Sequence, residues 1–260
     1  MDDHSWKAGS NLLTPEQVKH AYSLVCGQSQ IRRLAERSLN GTSWDRLMRV
    51  NLDMILGQLT MVAKRQANPE TALSRGELIE VRCAIDYEIR RASDRPRQYV
   101  APLYISDRLA RRVIDEASSG SPRQRLVSNA VREHVTPLTA YTSGTNILQS
   151  PAVYMPLLAH AFTTPICVIS KDEDPKGRAR TVAPDVNRPF MRYADNDIQV
   201  YRVSDFSPID RERFTWEDHI SLMKSYPSYA TGVEFFDLYQ KEWSAMLAAT
   251  GFKGAEGRVQ

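Results

Sequence analysis

Pro165-Ile166-Cys167-Val168-Ile169 is the stretch that decides the fold. Four apolar residues follow a proline and give way at once to Ser170-Lys171-Asp172-Glu173-Asp174. A short apolar run between breakers reads as a strand covered on both faces, and therefore central in its sheet. Immediately upstream, Val153 to Phe162 is apolar nearly all round after the opening Ser150-Pro151, the mark of a helix buried on most sides. Downstream, residues 171–180 form a solvated loop. Ile198 to Val203 reads as a second strand and His219 to Met223 as a third. A last helix spans Val233 to Thr250, with Phe236, Tyr239, Trp243 and Leu247 inward and Gly251 as its stop. The sheet is thus expected between about residues 164 and 225.

The cover for that sheet is written in the first half, which reads as helices. Thr14-Pro15-Glu16-Gln17 is a capping box flanked by Leu13 and Val18 as a hydrophobic staple. Val18, Ala21, Tyr22 and Val25 continue at helical spacing until Gly27. A second stretch over Ile31, Leu34, Ala35 and Leu39 stops at Asn40-Gly41, and Thr42 or Ser43 opens a long helix through Trp44, Leu47, Met48, Leu52, Ile55, Leu59 and Val62, with Met54 and Met61 thickening that core face. Ser74-Arg75-Gly76-Glu77 repeats the box, with Leu78, Val81, Ile85 and Ile89 as the buried stripe. Ser106 starts a helix through Leu109 and Val113, and Ser121-Pro122 starts one more, running to about His134. The fold class expected is α+β, one domain over residues 12–251, a helix-rich N-terminal half on a small C-terminal sheet. Residues 1–11 and 252–260 are expected to be flexible tails.

The 260 residues, 42% hydrophobic and 25% charged, are enough for a real core without metals or disulfides. No run approaches a membrane span, so no membrane partner is expected, and the polar start MDDHSWKAGSN has no secretory apolar middle. Three widely spaced cysteines indicate a reducing, cytoplasmic setting. Phosphate-loop, dinucleotide, α/β-hydrolase and zinc-protease motifs are all missing, and the five histidines are far apart, so neither cofactor nor metal is expected.

Two features remain that carry chemistry. Between Arg82 and Arg132 stand eleven arginines, no lysine and six acids, a local net charge of +5. Guanidinium forks bind carboxylates and phosphates bidentately, so Arg108, Arg111 and Arg112, crowded on one helix, are candidate partner-binding residues. A solvated surface with internal ion pairs explains the same charges. Aromatics among them are few, and nucleic acid is not the expected partner. The second feature is Cys26. If it opens a helix, the dipole favours its thiolate and the amide of Gly27 could hold an oxyanion. His219, placed at the start of a late strand, would move the proton. A small core residue is the commoner reading of a cysteine such as Cys26, and a structural histidine that of His219. Cys83 and Cys167 read as core, and His160 as structural.

Several of these segments together resemble the ovarian-tumour (OTU) family of papain-like cysteine deubiquitinases. Cys26 followed by Ile31 to Gly41 and Leu47-Met48-Arg49 is similar to the family's nucleophile helix and the helix after it. Met155 to Ile169 is similar to its buried helix and strand, and Asp218 to Leu222 to its histidine strand. The resemblance implies a papain-like fold and a thiol isopeptidase acting on ubiquitin or a ubiquitin-like protein, with Cys26 as nucleophile and His219 as base. It also implies that residues 74–135 form a helical arm or insertion contacting the distal ubiquitin. On that reading the protein is a bacterial effector, secreted into a host cytoplasm. The alternatives are a non-enzymatic adaptor binding an acidic protein through its arginines and, third, an RNA-binding protein.

Overall fold

The first helix begins where its capping box places it. Thr14 Oγ1 accepts from the Gln17 amide at 3.3 Å, and the Thr14 amide donates to the Gln17 side chain at 2.9 Å. Two backbone donors at the helix start are thereby satisfied, and Pro15 at the first position has none to satisfy. Helix α1 (Pro15–Cys26) buries Val18, Ala21, Tyr22 and Val25 and ends at Gly27, whose φ of 85° a side chain would strain. The computed structural model describes residues 12–27, 39–94, 102–136, 159–173, 188–226, 229–230 and 232–238. The sequence-read helix around Ile31 and Leu34, most of the helix from Val153, and the last helix beyond residue 238 fall outside these, as do both tails.

Helix α2 (Leu39–Gln66) runs through Asn40-Gly41 rather than starting after it. A glycine inside a helix costs only about 1 kcal/mol, which the burial of Ile55, Leu59 and Val62 several turns on readily exceeds. Helix α3 (Arg75–Asp94) opens on the second box: Ser74 Oγ accepts from the Glu77 amide at 3.3 Å and the Ser74 amide donates to Glu77 at 2.8 Å. It packs along α2 through Leu78 and Ile85.

The sheet is mixed and four-stranded, in the order β2-β3-β1-β4. Strand β3 (Ile166–Ser170) is interior, as its apolar run requires. It runs parallel to β1 (Tyr104–Ser106) and antiparallel to β2 (Ala130–His134), and β1 is antiparallel to β4 (Val200–Arg202). Two of the four strands therefore lie upstream of residue 164. Residues 104–134 are integral to the sheet, not an arm, because β1 supplies the central partner of both β3 and β4. The stretch read as one helix to His134 is helix α5 (Arg123–Ser128) followed by β2, which pairs with the exposed edge of β3.

Strand alternation sorts the core onto two sides. Ile105, Val168 and Tyr201 face α1 and helix α4 (Asp107–Ser118), meeting Val18, Tyr22, Leu109 and Val113. Tyr104, Cys167, Ile169 and Val200 face the other way, toward α2, α3, the short helix α6 (Met191–Asp195) and helix α7 (Trp216–Lys224). Helix α7 replaces the strand expected at His219. Thr215 caps it in a third box with Asp218, and Trp216, His219, Ile220 and Met223 are buried at helical, not alternating, spacing. The architecture is α+β, and none of its described helices is long and apolar enough to cross a membrane.

Candidate functional site

The thiol-hydrolase arrangement needs Cys26 at the amide end of a helix, a free oxyanion amide and a histidine nitrogen facing the sulfur. The structure corrects each premise. Cys26 is the last residue of α1, at the carbonyl end, where the dipole disfavours a thiolate. Its thiol contacts the hydroxyl of Tyr22, one turn earlier, which donates to the Pro102 carbonyl at 2.9 Å. The Gly27 amide donates to the Ser23 carbonyl at 2.9 Å, closing the helix, so it is not offered to an oxyanion.

His219 is sealed in the core. Its Nε2 lies 2.7 Å from the Thr163 carbonyl, which can only accept, so Nε2 carries the proton. Nδ1 then accepts from the Tyr104 hydroxyl at 2.7 Å. Burial lowers its pKa to about 4, the Thr163 carbonyl only partly offsetting it, and the ring is neutral at pH 7. Both nitrogens are engaged, and Tyr104 faces the side of the sheet opposite the cluster that Cys26 packs against. The structure does not bring the two residues into a dyad. Cys167 is buried as expected, whereas Cys83, read as core, is exposed. Among the described residues no His, Cys, Asp and Glu cluster has metal-holding geometry.

The described arginines of the arginine-rich segment do not share one face either. Arg82 lies on α3, whose Leu78 and Ile85 pack toward the far face of the sheet, while Arg108, Arg111 and Arg112 ride on α4 against the near face. These three do lie together, lining with Asp107, Asp115 and Glu116 an open depression of about 430 Å³ on the flank of α4. Arg111 Nε is held by Asp107 at 2.7 Å and Arg112 Nε by Glu116 at 2.9 Å. Both bonds stabilise the charged guanidinium. Arg108, 63% exposed, pairs with Asp172 at 3.6 Å.

The platform beneath them is tied together by hydrogen bonds. Because β1 and β3 are parallel, their carboxyl ends meet at one edge of the sheet, the edge where open α/β sheets place their ligands. Ser106 ends β1 and caps α4, its Oγ accepting from the Leu109 amide at 3.3 Å and donating to Glu173 at 2.5 Å. Glu173 also accepts from the Ser170 amide at 2.8 Å, where β3 ends. Burial raises the Glu173 pKa, with the Ser106 and Ser170 donors opposing the shift. Asp172 next door is held low, first by the Ser170 hydroxyl and then by Arg108 and Arg112. Asp107 accepts from the Tyr201 hydroxyl at 2.7 Å, which in turn accepts from the Leu13 amide at 3.0 Å, pinning α4 to β4 and to the chain entering α1. Burial and Asp107 together push the Tyr201 hydroxyl up to about 12.

Sequence reasoning placed Ser106 only as a helix start and missed Asp172, Glu173 and Ser170 as parts of the site around it. The only signal was the acidic step straight after the apolar strand, which also fits a solvated loop. Compared with protein-family models, curated proteins and solved structures, the chain matches none.

Proposed function

We propose that the chain is a non-enzymatic binding module that docks an acidic protein on Arg108, Arg111 and Arg112 at the carboxyl edge of β1 and β3. The observation that carries the reading is the way these arginines are held. Arg111 and Arg112 are each fixed through Nε by an acid one helical turn away, at 38% and 39% side-chain exposure. A guanidinium already ordered loses less rotamer freedom on meeting a carboxylate than a free lysine would. Hydrogen-bonded mounting of α4 on the sheet extends that advantage to the whole row.

The test pairs a charge reversal with an acidic probe. Changing Arg108 and Arg112 together to Glu should weaken binding of a poly-glutamate peptide by more than about 1 kcal/mol at moderate salt, since desolvated arginines are common hot spots. Folding stability should move by less than about 1 kcal/mol, because these pairs are solvent-screened. Binding that is equal in both proteins refutes the reading. So does a covalent adduct between Cys26 and ubiquitin bearing an electrophilic C-terminus, which would restore the papain-like isopeptidase reading through a rearranged site.

A further inference from the structure

Helix α2 carries two apolar faces, and the core covers one of them. Ile55, Leu59 and Val62 are sealed from solvent, whereas Val50, Met54 and Met61 are 49%, 44% and 38% exposed. At about 100° per residue the outer three fall within a narrow stripe, roughly 130° around the helix from the buried one. Gly57 sits in the middle of that stripe, exposed, and a Cβ built there would meet no atom within 4 Å. Single exposed apolar residues are ordinary on a surface, but an aligned row along one helix face marks an interaction site.

We propose that this face seats a second copy of the chain, the two α2 helices crossing antiparallel about a two-fold axis beside Gly57. The stripe is self-complementary in that arrangement. An axis between Gly57 and Gln58 sets Met54 opposite Met61 of the second copy, and the reverse pair forms by symmetry. Gly57 at the centre lets the backbones approach closely. The charges select the direction. Asp53 and Lys64 are both exposed and lie on the same flank of the stripe, about three turns apart. A two-fold axis across the helix pair keeps that flank facing itself while reversing the chain. Each Asp53 then comes beside Lys64 of the second copy, within ~3 Å along the helix axis. Parallel packing in register would send this flank to opposite sides of the seam, where Asp53 of one copy meets neither residue of the other and no such pair forms. One helix face per copy is a small interface, so the dimer is weak and concentration-dependent.

Sedimentation velocity of the full chain from about 1 to about 200 μM spans the range in which so small an interface associates. The average mass should rise from 29.5 kDa toward twice that value. Met54→Glu should hold the protein monomeric. Asp53→Lys or Lys64→Asp alone should weaken the dimer at least ~10-fold, and the two together should restore it. A monomer at every concentration overturns the proposal, as does a dimer indifferent to Met54→Glu or a double variant that fails to recover. Thermal melts give the second readout. An unchanged Tm in Met54→Glu supports an intermolecular contact, whereas a fall of more than ~5 °C shows that the chain's own residues cover this face, and overturns it.

Discussion

His219 offers a sharp test of the core that displaced the catalytic reading. The ring is neutral in the folded protein, with a pKa of about 4, and ordinary in the unfolded chain, at about 6.5. Because the folded value is the lower one, the unfolded chain binds the extra proton between these limits. Stability from the neutral ring is therefore complete above about pH 6.5 and is lost as pH falls toward 4. At pH 5 the worked loss is about 2 kcal/mol for this residue alone. His160, held at about 3 by burial against Trp216 and Phe236, loses a similar amount over the same interval.

His219→Gln removes the titration while keeping an amide to donate to Thr163 and an oxygen to accept from Tyr104. It should cost about 1–3 kcal/mol at pH 7 through altered packing. The informative quantity is the further loss between pH 7 and pH 5. Urea unfolding followed by tryptophan fluorescence, with Trp216 6.0 Å from the His219 ring, should show that loss smaller in the variant by about 2 kcal/mol. The comparison cancels the carboxylates, including Glu173, whose raised pKa works in the opposite direction. An equal pH loss in both proteins, or a His219 that titrates near 6 by NMR, would refute the buried, doubly bonded ring.

Two further outcomes follow from the same geometry. Ser106→Ala removes both the α4 cap and a donor to buried Glu173, so it should destabilise the fold by about 1–3 kcal/mol in urea, and adding Glu173→Gln should return part of that loss. Brief iodoacetamide treatment of the folded protein, read by mass spectrometry, should label exposed Cys83 first and buried Cys167 last, with half-buried Cys26 between them; labelling of Cys26 ahead of Cys83 would contradict its place at the carbonyl end of α1.

Local signals carried the fold as far as local signals reach. The boxes at Thr14 and Ser74 are satisfied within four residues of chain, so sequence spacing alone reveals them. The Ile166 run identifies β3 because covering both faces of a strand leaves no polar alternation. Strand β1 escaped for the opposite reason. Tyr104-Ile105-Ser106 is three residues long, and its identity comes from the parallel pairing with Cys167 and Val168, far along the chain. The Thr215–Asp218 box was legible and marks α7 as a helix. The strand read at Ile198 to Val203 is β4, whereas the one read at His219 to Met223 gave way to the period of Trp216, His219, Ile220 and Met223, which is helical.

The candidate site turned on a direction that composition cannot supply. A cysteine beside a glycine sits at a helix start or a helix end according to which side the helix occupies, and the two ends have opposite polarity. The box at Thr14 decides the matter, since a helix begun there reaches Cys26 by its last turn and needs Gly27 to stop it. Once α1 is drawn from its own cap, the Gly27 amide belongs to Ser23 and the thiol faces Tyr22. The arginine row behaves differently. Its Asp107–Arg111 and Arg112–Glu116 pairs stand at the four-residue spacing and were visible as charges. What fixes them in space, Glu173 beneath Ser106 and Asp172 beside Arg108, joins the ends of two strands sixty-odd residues apart through the sheet register. A surface built by register is written in the pairing of β1 with β3, and that pairing became readable only once the strands were laid side by side.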